Sequence, residues 1–199
     1  MANKKRIATV DRKTRETDVS LQLDIDGTGQ YDVSTGIGMF DHLLESLTRH
    51  SLFDLKVEAT GDIDRDPHHL VEDLGLVLGQ AVNQALGERR GITRFGHAIV
   101  PMDEALAMVA VDLGGRPYAS VDLKFGRDMI SQLPSEDIAH MLEAFAQEGR
   151  LNLHVRLLAG DNDHHIAEAA FKGLARALRS AVAIDPRAAE QVPSTKDVL

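Results

Sequence analysis

Cysteine is absent from this 199-residue chain, and that excludes disulfide staples, thiolate nucleophiles and zinc-ribbon sites together. Any bound metal must accept imidazole and carboxylate, a donor set that favours manganese, iron or zinc over thiophilic ions. Long hydrophobic runs are also missing. No apolar stretch approaches the roughly 20 residues of a membrane span, and no apolar signal segment follows Met1-Ala2-Asn3-Lys4-Lys5-Arg6. A cytoplasmic protein without membrane partners is expected. Positive charge is scarce, with 22 Lys and Arg against 31 Asp and Glu and a net charge of −9, which disfavours a general nucleic-acid surface. An anionic ligand would need a local cationic pocket set against that field. His-Glu-x-x-His, a P-loop and a Gly-x-Ser-x-Gly elbow are all lacking, and Gly36-Ile37-Gly38 reads as a turn rather than a nucleotide cradle.

What is present is an ordinary soluble composition, 43% apolar and 27% charged. A chain this long hides roughly 70% of its unfolded surface. Val19 to Gly27 alternates apolar and polar residues and predicts a half-buried strand, with a partner near Gln30 to Ser34. Ala105 to Leu113 and Tyr118 to Lys124 predict a second, more apolar hairpin. Leu52 to Thr60 and Leu151 to Leu158 predict one further strand each, and Ala98 to Val111 another at the junction. Helical stripes run through Phe40, Leu43, Leu44 and Leu47, and through Ile138, Met141, Leu142 and Phe145. A long amphipathic helix follows Pro67 (Leu70, Leu74, Val77, Leu78, Ala81, Ala85), and its counterpart carries Ile166, Ala169, Ala170, Leu174, Ala177 and Leu178. The expectation is an α+β fold of two similar β-β-α-β-α halves, residues 1–97 and 98–185, with helices on one face of the sheets and an irregular tail over 186–199.

The doubling extends to chemistry. His68-His69-Leu70-Val71-Glu72 recurs as His164-His165-Ile166-Ala167-Glu168. Asp41-His42-Leu43-Leu44-Glu45 precedes the first copy and Ala139-His140-Met141-Leu142-Glu143 the second, with His42 to His68 spaced by 26 residues and His140 to His164 by 24. Single histidines on helices are mostly structural, but a repeated set at matched spacing reads as metal ligands. Residues three or four apart share a helix face. The simplest partition therefore joins His69 with Glu72 and His165 with Glu168, and sends His68 and His164 toward a second ion. One ion would take His42, His69, Glu72 and a histidine of the other copy; the second would take His140, His165, Glu168 and its own crossing partner. His50, His97 and His154 lack the spacing.

Together with Phe40-Asp41-His42-Leu43-Leu44, His50-Ser51-Leu52-Phe53-Asp54-Leu55, Arg94-Phe95-Gly96, Gly115-Arg116-Pro117-Tyr118 and Phe171-Lys172, the paired motif resembles the imidazoleglycerol-phosphate dehydratase family over nearly the whole chain, from about Arg6 to Leu199. The resemblance implies loss of water from imidazole glycerol phosphate to give imidazole acetol phosphate in histidine biosynthesis, and metal coordination, which favours a deprotonated ring, offers a route through a metal-bound imidazolate. It implies two manganese ions per site, held among His42, His68, His69, Glu72, His140, His164, His165 and Glu168. It makes Glu16 the acid/base carboxylate, and Arg94, Arg116, Lys172, Ser194 and Lys196 the phosphate-binding groups. It also implies a homo-oligomer of twenty-four subunits with sites where subunits meet. Two positions depart from the family pattern: Ala139 stands where Glu is usual, and Ser46 where a substrate-contacting Gln is common. On the residues alone, two other readings stay open: a metal-dependent hydrolase using a metal-bound hydroxide, and a non-enzymatic assembly whose ions join subunits.

Overall fold

The computed structural model describes residues 5–199. Its first half contains strands β1 (Ile7–Lys13), β2 (Thr17–Asp24) and β3 (Tyr31–Ser34), helix α1 (Gly38–Ser51), strand β4 (Asp54–Gly61) and helix α2 (His68–Leu86). The second repeats the order with β5 (Phe95–Met102), β6 (Ala105–Asp112), β7 (Tyr118–Asp122), a two-residue hairpin β8–β9 (Met129–Ile130, Leu133–Pro134), α3 (Ser135–Gly149), β10 (Asn152–Ala159) and α4 (Asp163–Val182). The α+β class and the two similar halves are those of the sequence. The first half carries β1 beyond the expected strands; in the second, the junction strand expected over Ala98 to Val111 is β5 and β6 joined by a turn at Asp103-Glu104, and the short β8–β9 hairpin is additional.

The strand pairing corrects the expected hairpins. The sheets run β1-β2-β4-β3 and β5-β6-β10-β7. β3 pairs with β4 in parallel, not with β2, and β7 pairs in parallel with β10, not with β6. The cause is the helix between them. α1 carries the chain from β3 back to the start of β4, so β4 enters beside β3 in the same direction and separates it from β2; α3 does the same for β10. Each of these helices ends on a left-handed residue, Leu52 (φ 62°) and Arg150 (φ 48°), which turns the chain directly into the next strand.

Alternation sets the layers. Val19, Leu21 and Leu23 of β2 are buried while Asp18, Ser20 and Gln22 between them are exposed, so one face of the sheet is covered and the other meets solvent. α2 packs on β1 and β2, and α4 on β5 and β6. The helices then meet across the halves, α2 against α3 and α1 against α4. Two sheets thus enclose a double layer of helices around one continuous apolar core, in which Phe40, Phe53, Phe145 and Phe171 are fully buried. Among the described residues no helix is long and apolar enough to cross a membrane. The tail beyond Asp185 forms no helix or strand, yet it is tied down: Gly91 N donates to Gln191 O (2.8 Å), and an Arg94 guanidinium nitrogen to Pro193 O (2.8 Å).

Candidate metal and substrate site

Helix pairing across the halves brings the histidines together. On the α1–α4 contact, His42 Nε2 lies 3.1 Å and His164 Nε2 2.8 Å from Glu168 Oε1, with the two rings stacked at 5.6 Å. On the α2–α3 contact, His68 and His140 meet edge to face at 5.1 Å, and Glu72 stands one turn after His68. Two candidate half-sites related by the internal repeat result: His42, His164 and Glu168 form a close donor group, whereas His68, exposed Glu72 and His140 do not gather within the same reach among the described residues.

This geometry corrects the expected partition. Glu168 shares its helix face with His164, four residues before it, and Lys172, four after. His165 turns instead to the β5–β6 turn, where its Nδ1 is 2.7 Å from Glu104 Oε2 and its Nε2 3.7 Å from Asp103 Oδ2. His69 behaves alike: its Nδ1 lies 3.3 Å from Asp62 Oδ1 and 3.8 Å from Glu16 Oε2, beside the β1–β2 turn. Spacings of three and four residues both place side chains on one helix face, so spacing alone could not choose between them. The choice is made by what each face meets: the other half's helix for His164 and His68, the strand-end turns for His165 and His69.

The donor set suits a divalent cation. His42, His164 and Glu168 offer three ligand atoms within 4.8 Å of one another, as do Glu16, Asp62 and His69. Separations near 3 Å match the spacing of adjacent ligands on a six-coordinate ion with bonds of roughly 2.1 Å. Glu168 is held as a carboxylate. Burial alone would raise its carboxyl, but Lys172 Nζ at 2.5 Å and the two imidazoles hold it down at about 2. Glu104 is likewise held at about 2, chiefly by its hydrogen bond with His165.

Sequence reasoning missed several supporting residues. Asp73 is buried and accepts hydrogen bonds from Arg12 Nε (2.7 Å) and Thr17 Oγ1. It thereby clamps α2 to the β1–β2 turn that carries Glu16, whose backbone N–H donates to Thr14 Oγ1 (3.1 Å). Asp103 and Glu104 occupy the repeat's counterpart of that turn, and aligning the two halves through their strands would have pointed to them. Asp62 sits in an acid-rich loop, Gly61 to Asp66, where nothing in the sequence singles it out. Asp137, beneath His68, is equally inconspicuous.

The proposed phosphate groups divide. Arg94, Arg116, Ser194 and Lys196 all line one cavity of about 720 Å³ between the β5 end and the tail. Arg94 is already paired there with Asp112 (2.7 and 3.0 Å), which raises its pKa. Lys172 is elsewhere, against Glu168. The two departures also differ. Ala139 is half-buried beside His140, while Ser46 Oγ is buried without a hydrogen-bond partner. His154, outside the histidine set, is exposed, its ring 5.6 Å from that of Tyr118.

Two sheets around paired helices, with matching histidine and glutamate residues on each helix contact and a close group on one of them that could hold a metal ion, define a duplicated α+β protein. Comparison with known proteins makes this specific. Residues 35–178 match the family model described as imidazoleglycerol-phosphate dehydratase. The chain is 55% identical over 195 residues to the imidazoleglycerol-phosphate dehydratase of Dehalococcoides mccartyi (98% of each chain), and 54% over 194 residues to that of Gluconacetobacter diazotrophicus (98% of each). Among solved structures it resembles the Pyrococcus furiosus protein of the same name (TM-score 0.83, 37% identity, 96% of this chain and 100% of that one). The Staphylococcus aureus protein is similar as well (TM-score 0.82, 32% identity, 90% and 99%). The chain belongs to the imidazoleglycerol-phosphate dehydratase family. It is therefore an enzyme, a dehydratase of histidine biosynthesis.

Proposed function

We propose that this chain removes water from imidazole glycerol phosphate to give imidazole acetol phosphate, at sites that each use two manganese ions and are completed only where chains assemble. The observation that carries the reading is the close donor group of His42, His164 and Glu168 on one helix contact, with its repeat counterparts His68, Glu72 and His140 on the other. His69 and His165 join neither half-site within the chain, and are the ligands best placed to serve a neighbour.

Assembly follows from length. Arg94 N donates to Ala181 O at the far end of α4 (2.9 Å), thirteen residues beyond Glu168, which at 1.5 Å per residue is about 20 Å. Arg89, just past the end of α2, donates to Leu113 O (2.8 Å) next to the cavity, so Glu72 near the start of α2 is about as distant. A three-carbon chain separates ring from phosphate by at most about 8 Å. One substrate thus cannot reach both the cationic cavity and a half-site of the same chain. A symmetric homo-oligomer brings one chain's cavity to another's half-sites, and we take twenty-four subunits as its size and the cytoplasm as its place.

The reaction takes a hydroxyl from the carbon bonded to the ring and a proton from its neighbour, and the enol formed becomes the ketone. Cations held by groups such as His42, His164 and Glu168 would favour the deprotonated ring by their charge. The chain's own groups do the rest. Arg116, Lys196 and Ser194 bind the phosphate, fixing the carbon chain relative to the ring. Glu16, exposed on the β1–β2 turn beside His69, moves protons at its carboxylate. The test is removal of metal: stripped protein should lose formation of imidazole acetol phosphate and regain it with Mn²⁺. Undiminished turnover by fully stripped protein would overturn the reading.

A further inference from the structure

We infer that Asp137 is a positioning residue for His68, fixing which ring nitrogen of that histidine is free to bind metal. The inference rests on the metal-site reading above and deepens it. Asp137 lies in the first turn of α3, its side chain 2% exposed, with Oδ1 2.8 Å from His68 Nδ1 across the α2–α3 contact. A carboxylate acceptor at Nδ1 holds the ring proton there. Nε2 is left unprotonated, with its lone pair available to a cation, and the hydrogen bond sets the plane of the ring.

A merely structural role fits poorly. An acidic residue in a first helical turn is favoured by the helix dipole, but an exposed side chain satisfies that preference. Asp137 is instead buried, and its second oxygen, Oδ2, is buried with no hydrogen-bond partner among the described residues. Burial of a carboxylate with an unsatisfied oxygen works against folding. The internal repeat supplies a control. Three residues before His42, at the position matching Asp137, stands Met39, which lines the cleft beside His164 and Glu168. The same fold therefore accepts an apolar residue there, and its histidine is oriented differently, by Nε2 on Glu168. The carboxylate belongs to the chemistry of one half-site, not to the architecture of both.

Asp137→Asn preserves shape but places an amide that can donate to Nδ1, which favours the proton on Nε2 and blocks that nitrogen. The Mn²⁺ dissociation constant, measured by competition with a fluorescent chelator, should rise about 10- to 100-fold, with the melting temperature of the metal-free protein unchanged or higher. In 15N-histidine-labelled metal-free protein, the His68 ring proton should move from Nδ1 to Nε2. In a His68→Ala background the same substitution should change Mn²⁺ affinity no further, and this arm also serves if Asp137→Asn alone folds poorly. Unaltered affinity or tautomer in Asp137→Asn, or an equal loss with His68 already removed, would overturn the inference. Failure of the parent protein to bind Mn²⁺ would instead sink the metal-site reading, and the positioning role with it.

Discussion

Glu168 shows how much one residue's surroundings decide. It is 6% exposed, and desolvation opposes its charge, yet three cationic or imidazole neighbours keep it ionised down to about pH 2. Its repeat partner Glu72 is exposed and has no lysine one turn on, since Leu76 stands where Lys172 stands in the second copy. Identical letters at identical spacing thus become a buried, ionised carboxylate in one half and a solvated one in the other. Sequence made the histidines and glutamates legible because the pattern occurs twice; it left Asp62, Asp73, Glu104 and Asp137 illegible, since each acts through a partner brought close only by folding. Glu16 was legible only through the family resemblance, and the structure gives it a physical setting: a turn held by Thr14, Thr17 and Asp73, 3.8 Å from His69. If Glu16 moves protons, Glu16→Gln should keep its metal content, measured by elemental analysis, and lose about 10²- to 10⁴-fold in kcat. Full turnover in that variant would remove Glu16 from the mechanism.

Elements were legible where a single periodicity ruled. All four helical stripes are buried where expected, because one helix face packs on sheet or helix throughout. β1 was missed: Ile7 to Lys13 alternates, but only Ala8 and Val10 are buried, and the strand's end is charged. The parallel pairing of β3 and β7 was missed for a different reason, since it depends on crossovers that no local pattern records. The helix contacts that build the half-sites depend on small residues. A Cβ on Gly79 of α2 would lie 2.5 Å from Phe145 O and 2.7 Å from Gly149 N of α3, and one on Gly75 would lie 2.6 Å from Met141 O. These are backbone atoms that cannot swing aside. Alanine improves helix propensity by about 1 kcal/mol, but forcing a packed contact apart costs about 1–3 kcal/mol. Gly79→Ala should therefore lower the melting temperature. It should also weaken Mn²⁺ binding, because His68 and His140 ride on the two helices being separated. An alanine variant that melted higher and bound metal normally would show that the α2–α3 distance does not govern the site.

The whole molecule poses a question that neither residues nor elements answer. Arg94, Arg116 and Lys196 gather at one end of the helical layer and the paired imidazoles, with Lys172 beside them, at the other, about 20 Å apart by helix rise, so on the proposed reading an isolated chain separates what a single substrate must touch at once. The acidic net charge sharpens the point, because on the proposed reading the phosphate docks in the cavity lined by Arg116 and Lys196, against that field. If active sites join the cavity of one chain to the half-sites of another, defects at the two ends can be separated genetically and repaired by mixing. Arg116→Ala should cripple the cavity and leave metal binding intact, and His164→Ala should do the reverse. Each alone should be nearly inactive. Metal-stripped samples of the two, mixed in equal amounts and reassembled with Mn²⁺, should form hybrid sites that draw an intact cavity from one variant and an intact half-site from the other. Random mixing in a closed symmetric assembly gives up to about one quarter of sites that composition. Recovered turnover approaching that fraction, together with co-elution of both chains in one oligomer, is the expected result. If the mixture co-assembles yet regains nothing, each chain must complete its own site, and a movement that closes the 20 Å gap within one subunit would have to replace assembly as the explanation.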